Sequence, residues 1–344
     1  MRGIAPSLRS VRRLAWIAAA LALLVIVFGA FVRLSNAGLS CPDWPTCYGK
    51  LTWPTQPHDV ASANAAFPDR PVETDKAWRE QVHRMLVGGL SLVTFALAGL
   101  AFVRRRELGR LALVPLFAAL FIVFQAALGM WTVTLKLLPL VVASHLVGGL
   151  TMLALLAGTA LALSLAPVGN VENAALRRAS AFGIALLAVQ IALGGWTSAN
   201  YAALACGTDF PTCLGQWHPP TDFGNAFVLW RGIGVDYEGG VLDAPARTAI
   251  QLAHRLGALV VFIYGIALAA FAMRRRETRM FGAAMAVLLL AQVALGIGNV
   301  VLGLPLAVAT AHNGVAALLL CALLALWVRL RRAAPDRDGA RTLL

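Results

Sequence analysis

Four histidines of this 344-residue chain fall inside long apolar segments: His83, His145, His254 and His312. An imidazole in hydrocarbon is costly unless it has a partner, so each marks a site by default. Taken singly, any of them could be an interhelical hydrogen-bonding residue. They occur, however, as two pairs at matched depth near the same end of their segments. Two facing imidazoles in a four-helix bundle can bind one porphyrin iron from both sides, with the apolar macrocycle in the bundle core. Zinc is the competing ion, but neither pair has a full four-ligand set, and only the first reaches three, by adding Glu80. The chemistry expected is therefore that of two haems, one per pair.

The neighbours of these histidines differ between the pairs. Glu80 stands three residues before His83, whereas Gln251 stands three residues before His254. Residues i and i+3 share a helix face, so one site has an ionisable acid beside it and the other a neutral near-isostere. Glu80 fits two roles: an acid or base for proton-linked chemistry, or a carboxylate at the positive end of its helix. Arg84 and Arg255 each follow a histidine; a guanidinium there fits a haem propionate or snorkelling to lipid headgroups. Cys41 with Cys47 and Cys206 with Cys213 flank short Pro-containing loops, and each pair is expected to form a disulfide, structural or redox-active. Cys321, deep in an apolar run, reads as packing. His58 and His218 lie among Pro and Trp and read as solvated.

The elements that must position these residues are membrane helices. The chain is 59% hydrophobic and only 13% charged, and runs long enough to span a bilayer occur at roughly 14–34, 79–103, 111–134, 139–166, 177–200, 246–273, 280–302 and 305–330. They are continuously apolar, which favours helices over the alternating strands of a barrel. The net charge of +13 does not point to nucleic acid. The N-terminus, the links 104–110, 167–178 and 274–279, and the tail hold 19 Lys or Arg against 5 acidic residues, which by the positive-inside rule places both termini in the cytoplasm and the cysteine loops outside. The first run exceeds the apolar core of a signal peptide and is expected to be a span. Long segments at 35–78 and 201–245, rich in Pro and Gly, could cover the histidine sites.

Shifted by about 167 residues, the chain matches itself. Gln125-Ala-Ala-Leu-Gly129 returns as Gln292-Val-Ala-Leu-Gly296, each with a histidine 20 residues after the Gln; Gln81-Val-His83-Arg84 resembles Gln251-Leu-Ala-His254-Arg255; and both cysteine loops end in Pro-Thr-Cys. The expected fold is an all-α polytopic membrane protein of eight spans, built as two tandem four-helix bundles at 11–166 and 177–332 with a cytoplasmic tail at 333–344. Four spans per unit makes the repeats parallel, related by a pseudo-twofold axis along the membrane normal.

With these residues in place, the chain resembles the haem A synthase family, in its bacterial branch with paired outer-loop cysteines. The likeness covers about residues 11–332: the spans, the duplication, the four histidines and Glu80-Gln81-Val82-His83. It implies an oxidoreductase of the bacterial cytoplasmic membrane that converts haem O to haem A. The porphyrin C8 methyl would be hydroxylated twice, and loss of water would leave a formyl group. Residue by residue, it implies His83 and His145 as axial ligands of the substrate haem O, Glu80 as the catalytic acid, and His254 and His312 as ligands of a resident haem B cofactor. It matches Cys41 with Cys47 and Cys206 with Cys213 to the family's loop disulfides. It also implies a homo-oligomer working beside a farnesylating haem O synthase. The residues alone leave two other functions open: a bis-histidine cytochrome b passing electrons from quinol, and a haem exporter or chaperone.

Overall fold

In the computed structural model, residues 8–168 and 174–331 are described; the tail expected at 333–344 lies outside them. The helices are α1 (Arg9–Leu34), α2 (Pro57–Ala66), α3 (Thr74–Val103), α4 (Arg105–Leu108), α5 (Leu113–Thr134), α6 (Pro139–Ala162), α7 (Ala174–Ala199), α8 (Phe223–Ala226), α9 (Ala244–Met273), α10 (Arg279–Val301) and α11 (Leu306–Arg329). Among the described residues eight segments are long and apolar enough to cross a membrane: α1, α3, Arg105–Thr134 containing α5, α6, α7, α9, α10 and α11. Helices α1, α3 and α9 begin two to five residues before the apolar runs do. The added turn of α3 is polar, and there Arg79 pairs with Asp75 one turn before it, so hydropathy alone places that start too late.

Neighbouring relations sort the eight into two rings. Helices α1, α3, α5 and α6 contact one another in a closed order, α1–α3–α5–α6–α1, and α7, α9, α10 and α11 do the same in the order α7–α9–α10–α11–α7. The rings meet where α1 and α6 pack on α7 and α11. Small residues make this seam close: a Cβ on Gly314 of α11 would stand 3.3 Å from Val27 of α1, on Gly158 of α6 3.6 Å from Leu324 of α11, and on Gly195 of α7 3.7 Å from Ala143 of α6. In lipid, helices associate through such tight van der Waals packing rather than through expulsion of water. Side chains also bridge the two rings. Arg33 of α1 donates to the Ser198 carbonyl of α7 at 2.6 Å and lies over the Tyr201 ring. Beyond the membrane, Arg70 pairs with Asp236 and Glu238 at 2.8 and 2.9 Å.

Gly282 shows how closely α9 and α10 approach. A Cβ there would stand 2.7 Å from the Ala269 carbonyl and 3.0 Å from the Met273 amide, both main-chain atoms of α9 that cannot swing aside. Gly282→Val should destabilise the protein by about 1–3 kcal/mol through overpacking, read as a lower midpoint for thermal unfolding in detergent. An unchanged midpoint would mean the helices separate freely there.

Candidate functional site

Each intramembrane histidine lies against a glycine on a neighbouring helix. A Cβ on Gly29 of α1 would stand 2.8 Å from Cε1 of His83; on Gly129 of α5, 3.3 Å from His145; on Gly194 of α7, 3.1 Å from His254; and on Gly296 of α10, 3.2 Å from His312. The four glycines leave the space that the four rings fill. Within each ring of helices the two imidazoles are close enough to interact electrostatically, His83 with His145 and His254 with His312. All four side chains are only half-buried, with Nδ1 of His83, His145 and His312 enclosed and unpartnered. Paired rings, glycine-backed and with free ring nitrogens, fit two porphyrin irons. Among the described residues no cluster of three or more His, Cys, Asp or Glu could hold another metal ion.

One helical turn before three of these glycines stands a glutamine, making Gln125, Gln190 and Gln292 the partners of Gly129, Gly194 and Gly296. Nε2 of Gln190 is 3.0 Å from Nδ1 of His254 and donates to the His254 carbonyl at 2.9 Å. Nε2 of Gln292 is 3.1 Å from Nε2 of His312. The Gln125 amide lies where a Cβ of Gly148 would be, and the Gln190 amide where a Cβ of Gly257 would be; both glycines are three residues past a histidine. His83 alone has no such amide. The residue four before Gly29 is Val25, the residue three past His83 is Leu86, and His83 instead stacks on Phe28 at 6.5 Å.

Above the histidines sit two disulfide loops. Cys41 and Cys47 are joined, as are Cys206 and Cys213, so both pairings expected from the sequence are present. Each loop contains a cis peptide, Trp44-Pro45 or Phe210-Pro211. Arg84 donates to the carbonyls of Asp43, Thr46 and Cys41, and Arg255 to those of Asp209 and Thr212. These are matching carbonyls in the two loops. Both guanidinium groups therefore pin a loop to the helix carrying the histidine. Inside the first loop Asp43 accepts from the Thr46 hydroxyl and from the amides of Tyr48 and Gly49. Burial works against its ionisation, but those hydrogen bonds prevail and hold its pKa below the usual value.

The acid expected at Glu80 is buried at 5% exposure, and its carboxylate is held by the first loop. Oε2 accepts from the Cys41 amide at 2.8 Å and lies 3.2 Å from the Ser40 hydroxyl, while Oε1 accepts from Arg84 at 2.6 Å. Gln251, its counterpart, is also buried, with Oε1 unpartnered. Two further loop positions differ in the same direction. Ser40 and Tyr48, beside the first disulfide, are replaced by Ala205 and Leu214 beside the second. Burial, then the negative charges of Glu80 and Glu73, push the Tyr48 phenol up to about 12, so it keeps its proton.

Sequence reasoning missed the cradle glycines of α1 and α7, the Gln190–Gly257 pairing and the change from Ser40 to Ala205. All but Gly29 had a signal: Gln-x-x-x-Gly occurs three times at the levels of the histidines, and Ser40 and Ala205 directly precede the first cysteine of each loop. His58 is exposed, as is His218, both away from the paired rings. Trp196 is buried and donates its indole N–H to the Ala226 carbonyl at 2.9 Å.

Comparison with known proteins gives a consistent set. The family described as "Cytochrome oxidase assembly protein" (COX15-CtaA) matches residues 12–324. A Shewanella oneidensis protein named "Heme A synthase" is 45% identical over 306 residues, 88% of this chain and 91% of its own. Proteins of that name from Rhizorhabdus wittichii and Methylobacterium radiotolerans are 29% and 30% identical, covering 94% and 88% of this chain and 95% and 85% of their own.

The glycine cradles make a separable prediction. On the expectation of one haem per histidine pair, Gly194→Leu or Gly296→Leu should displace an imidazole of the second pair and lower the haem content from two to one per chain. The pyridine haemochrome spectrum measures this. Retention of both haems in both variants would show that the cradles are not needed.

Proposed function

Since the chain belongs to the haem A synthase family, an enzyme family of haem A biosynthesis, we propose that it oxidises the C8 methyl of haem O in its first ring of helices. Two hydroxylations followed by dehydration give the formyl group of haem A. His83 and His145 hold the substrate iron, and Glu80 is the acid and base at the reacting edge of the pocket. The observation that carries this reading is the inequality of the two sites: an acid tethered to the disulfide loop in one, the neutral Gln251 in the other.

The residues divide the work accordingly. His83 and His145 would hold the iron, and the C8 methyl, a substituent on the macrocycle edge, would then be open to a fixed carboxyl. Arg84 and the Cys41 amide fix the position of Glu80, leaving Oε2 beside the Ser40 hydroxyl. General acid–base help of this kind contributes about 10²–10⁴-fold; for the dehydration, Glu80 protonates a leaving hydroxyl of the dihydroxymethyl and then takes the proton of the remaining one. In the second ring His254 and His312 hold haem B, which supplies electron transfer when bound. Gln190 steadies the His254 ring there, and no acid equivalent to Glu80 is available to modify that porphyrin. Neutral Gln251 favours a site that carries electrons without changing its haem.

The Lys and Arg distribution supports a cytoplasmic-membrane protein with both termini inside, disulfide loops outside and the two units related by a pseudo-twofold axis along the membrane normal. Haem O reaching the first site from a membrane-bound haem O synthase, and assembly as a homo-oligomer, fit the same reading. A pure cytochrome b accounts for four ligands but gives no reason for a buried, loop-tethered acid in one half.

The test is to purify the protein from cells that make haem O, extract its haems and identify them. Haem B together with haem O, its hydroxylated form and haem A is expected, and Glu80→Gln should leave haem O unconverted. Only haem B, in both proteins, would sink the proposal. His254→Ala should remove haem B and spare the first site; retention of haem B would overturn the ligand assignment.

A further inference from the structure

Glu80 is sealed from lipid and from most of the protein surface, yet a residue that gives and takes protons needs a route to water. Ser40 touches it and also reaches open space. Its Oγ lies 3.2 Å from Oε2 of Glu80 and 2.5 Å from the Ala37 carbonyl, and Ser40 lines a polar cavity of about 150 Å³ on the outer side. Asn36, Tyr48, Asp69, Glu73 and Glu238 line the same cavity, which has room for several waters. Arg70, paired with Asp236 and Glu238, closes one wall.

The other groups around Glu80 cannot serve. The Arg84 guanidinium offers only N–H donors and no acceptor, and the Cys41 amide is a fixed donor. Tyr48 holds its proton and donates it to the Arg70 carbonyl at 3.0 Å. A hydroxyl, by contrast, carries one donor and two acceptor lone pairs and can turn. In the second unit the acid, the hydroxyl and the phenol are all replaced, by Gln251, Ala205 and Leu214. The acid and the hydroxyl beside it occur together only in the first unit.

We infer that Ser40 is the proton relay between Glu80 and the outer aqueous cavity. The inference rests on the reading that Glu80 does acid–base chemistry in the first site. In the forward step the Glu80 carboxyl O–H breaks and its proton passes to Ser40 Oγ, as the Ser40 O–H breaks and its proton passes to a cavity water. Glu80 is left as carboxylate, Ser40 is regenerated, one proton has left and no electrons move. The reverse step recharges the acid. The hydroxyl's second partner, the Ala37 carbonyl, holds its proton between transfers and sets its resting orientation. Ser40 is thus a positioning and relay residue that acts through Glu80 and does not touch the porphyrin.

The test uses the full-length, haem-loaded protein. Infrared difference spectra identify the Glu80 carboxyl band by its loss in Glu80→Gln, and transfer into D₂O gives its exchange rate. Ser40→Ala should retain both haems and the disulfide, slow that exchange and slow conversion of haem O by roughly tenfold or more, within the range of a lost proton-transfer group. Ser40→Thr, which keeps the hydroxyl, should restore both, and Ala205→Ser should change neither. Should Ser40→Ala lose haem, Ser40→Gly removes the hydroxyl without adding bulk and takes its place. Exchange and turnover at the wild-type rate without the hydroxyl would overturn the relay while leaving Glu80 its role. Full conversion by Glu80→Gln would overturn the functional reading itself, whatever Ser40 does.

Discussion

An imidazole placed among apolar helices needs both room and a partner, and much of this architecture follows from meeting those two needs four times. Room comes from glycine: Gly29, Gly129, Gly194 and Gly296 each give up a side chain where a histidine ring lies. Glycine in a helix interior costs about 1 kcal/mol relative to alanine, so its recurrence at these positions reflects something gained. The partner, on the proposed reading, is iron. Around His254 and His312, glutamine amides add a second layer of contact. His83 has none, only aromatic and aliphatic neighbours and an acid one turn away on its own helix.

The repeat sets a common frame, and function follows from where the two copies diverge. Both units use an arginine directly after a histidine to clamp a disulfide loop by matching carbonyls. The clamp is common to both and gives neither a distinct chemistry. The divergence lies in what the clamped loop offers: the first presents the Cys41 amide and the Ser40 hydroxyl to Glu80, while the second has Ala205 at the position of Ser40 and Gln251 at that of Glu80. On the proposed reading, a duplicated bundle becomes a two-site device in which one haem is accessible to proton chemistry and the other is insulated from it.

How much of this the residues reveal depends on the range of the interaction. Spans, paired histidines and paired cysteines are legible because hydropathy, ligand type and loop length act locally, and the disulfides Cys41–Cys47 and Cys206–Cys213 close over only six and seven residues. The start of α3 is less legible because its first turn lies outside the apolar run. The roles of Arg84 and Arg255 were undecided between propionate and headgroup, since only the folded loop brings main-chain carbonyls within reach. Gln190 and Gly257 are 67 positions apart in sequence, on α7 and α9; nothing in either segment alone says that the amide of one occupies the space left by the other.

The central claim is that the two histidine pairs hold chemically different haems, and that the one beside Glu80 is the substrate. The most direct measurement is an experimental structure of the Glu80→Gln protein loaded with haem O, in which turnover is blocked and the farnesylated porphyrin can be told from haem B by its tail. The account predicts the farnesylated porphyrin between His83 and His145, with the C8 methyl turned toward residue 80, and haem B between His254 and His312. A farnesylated porphyrin between His254 and His312, with haem B beside residue 80, would contradict it.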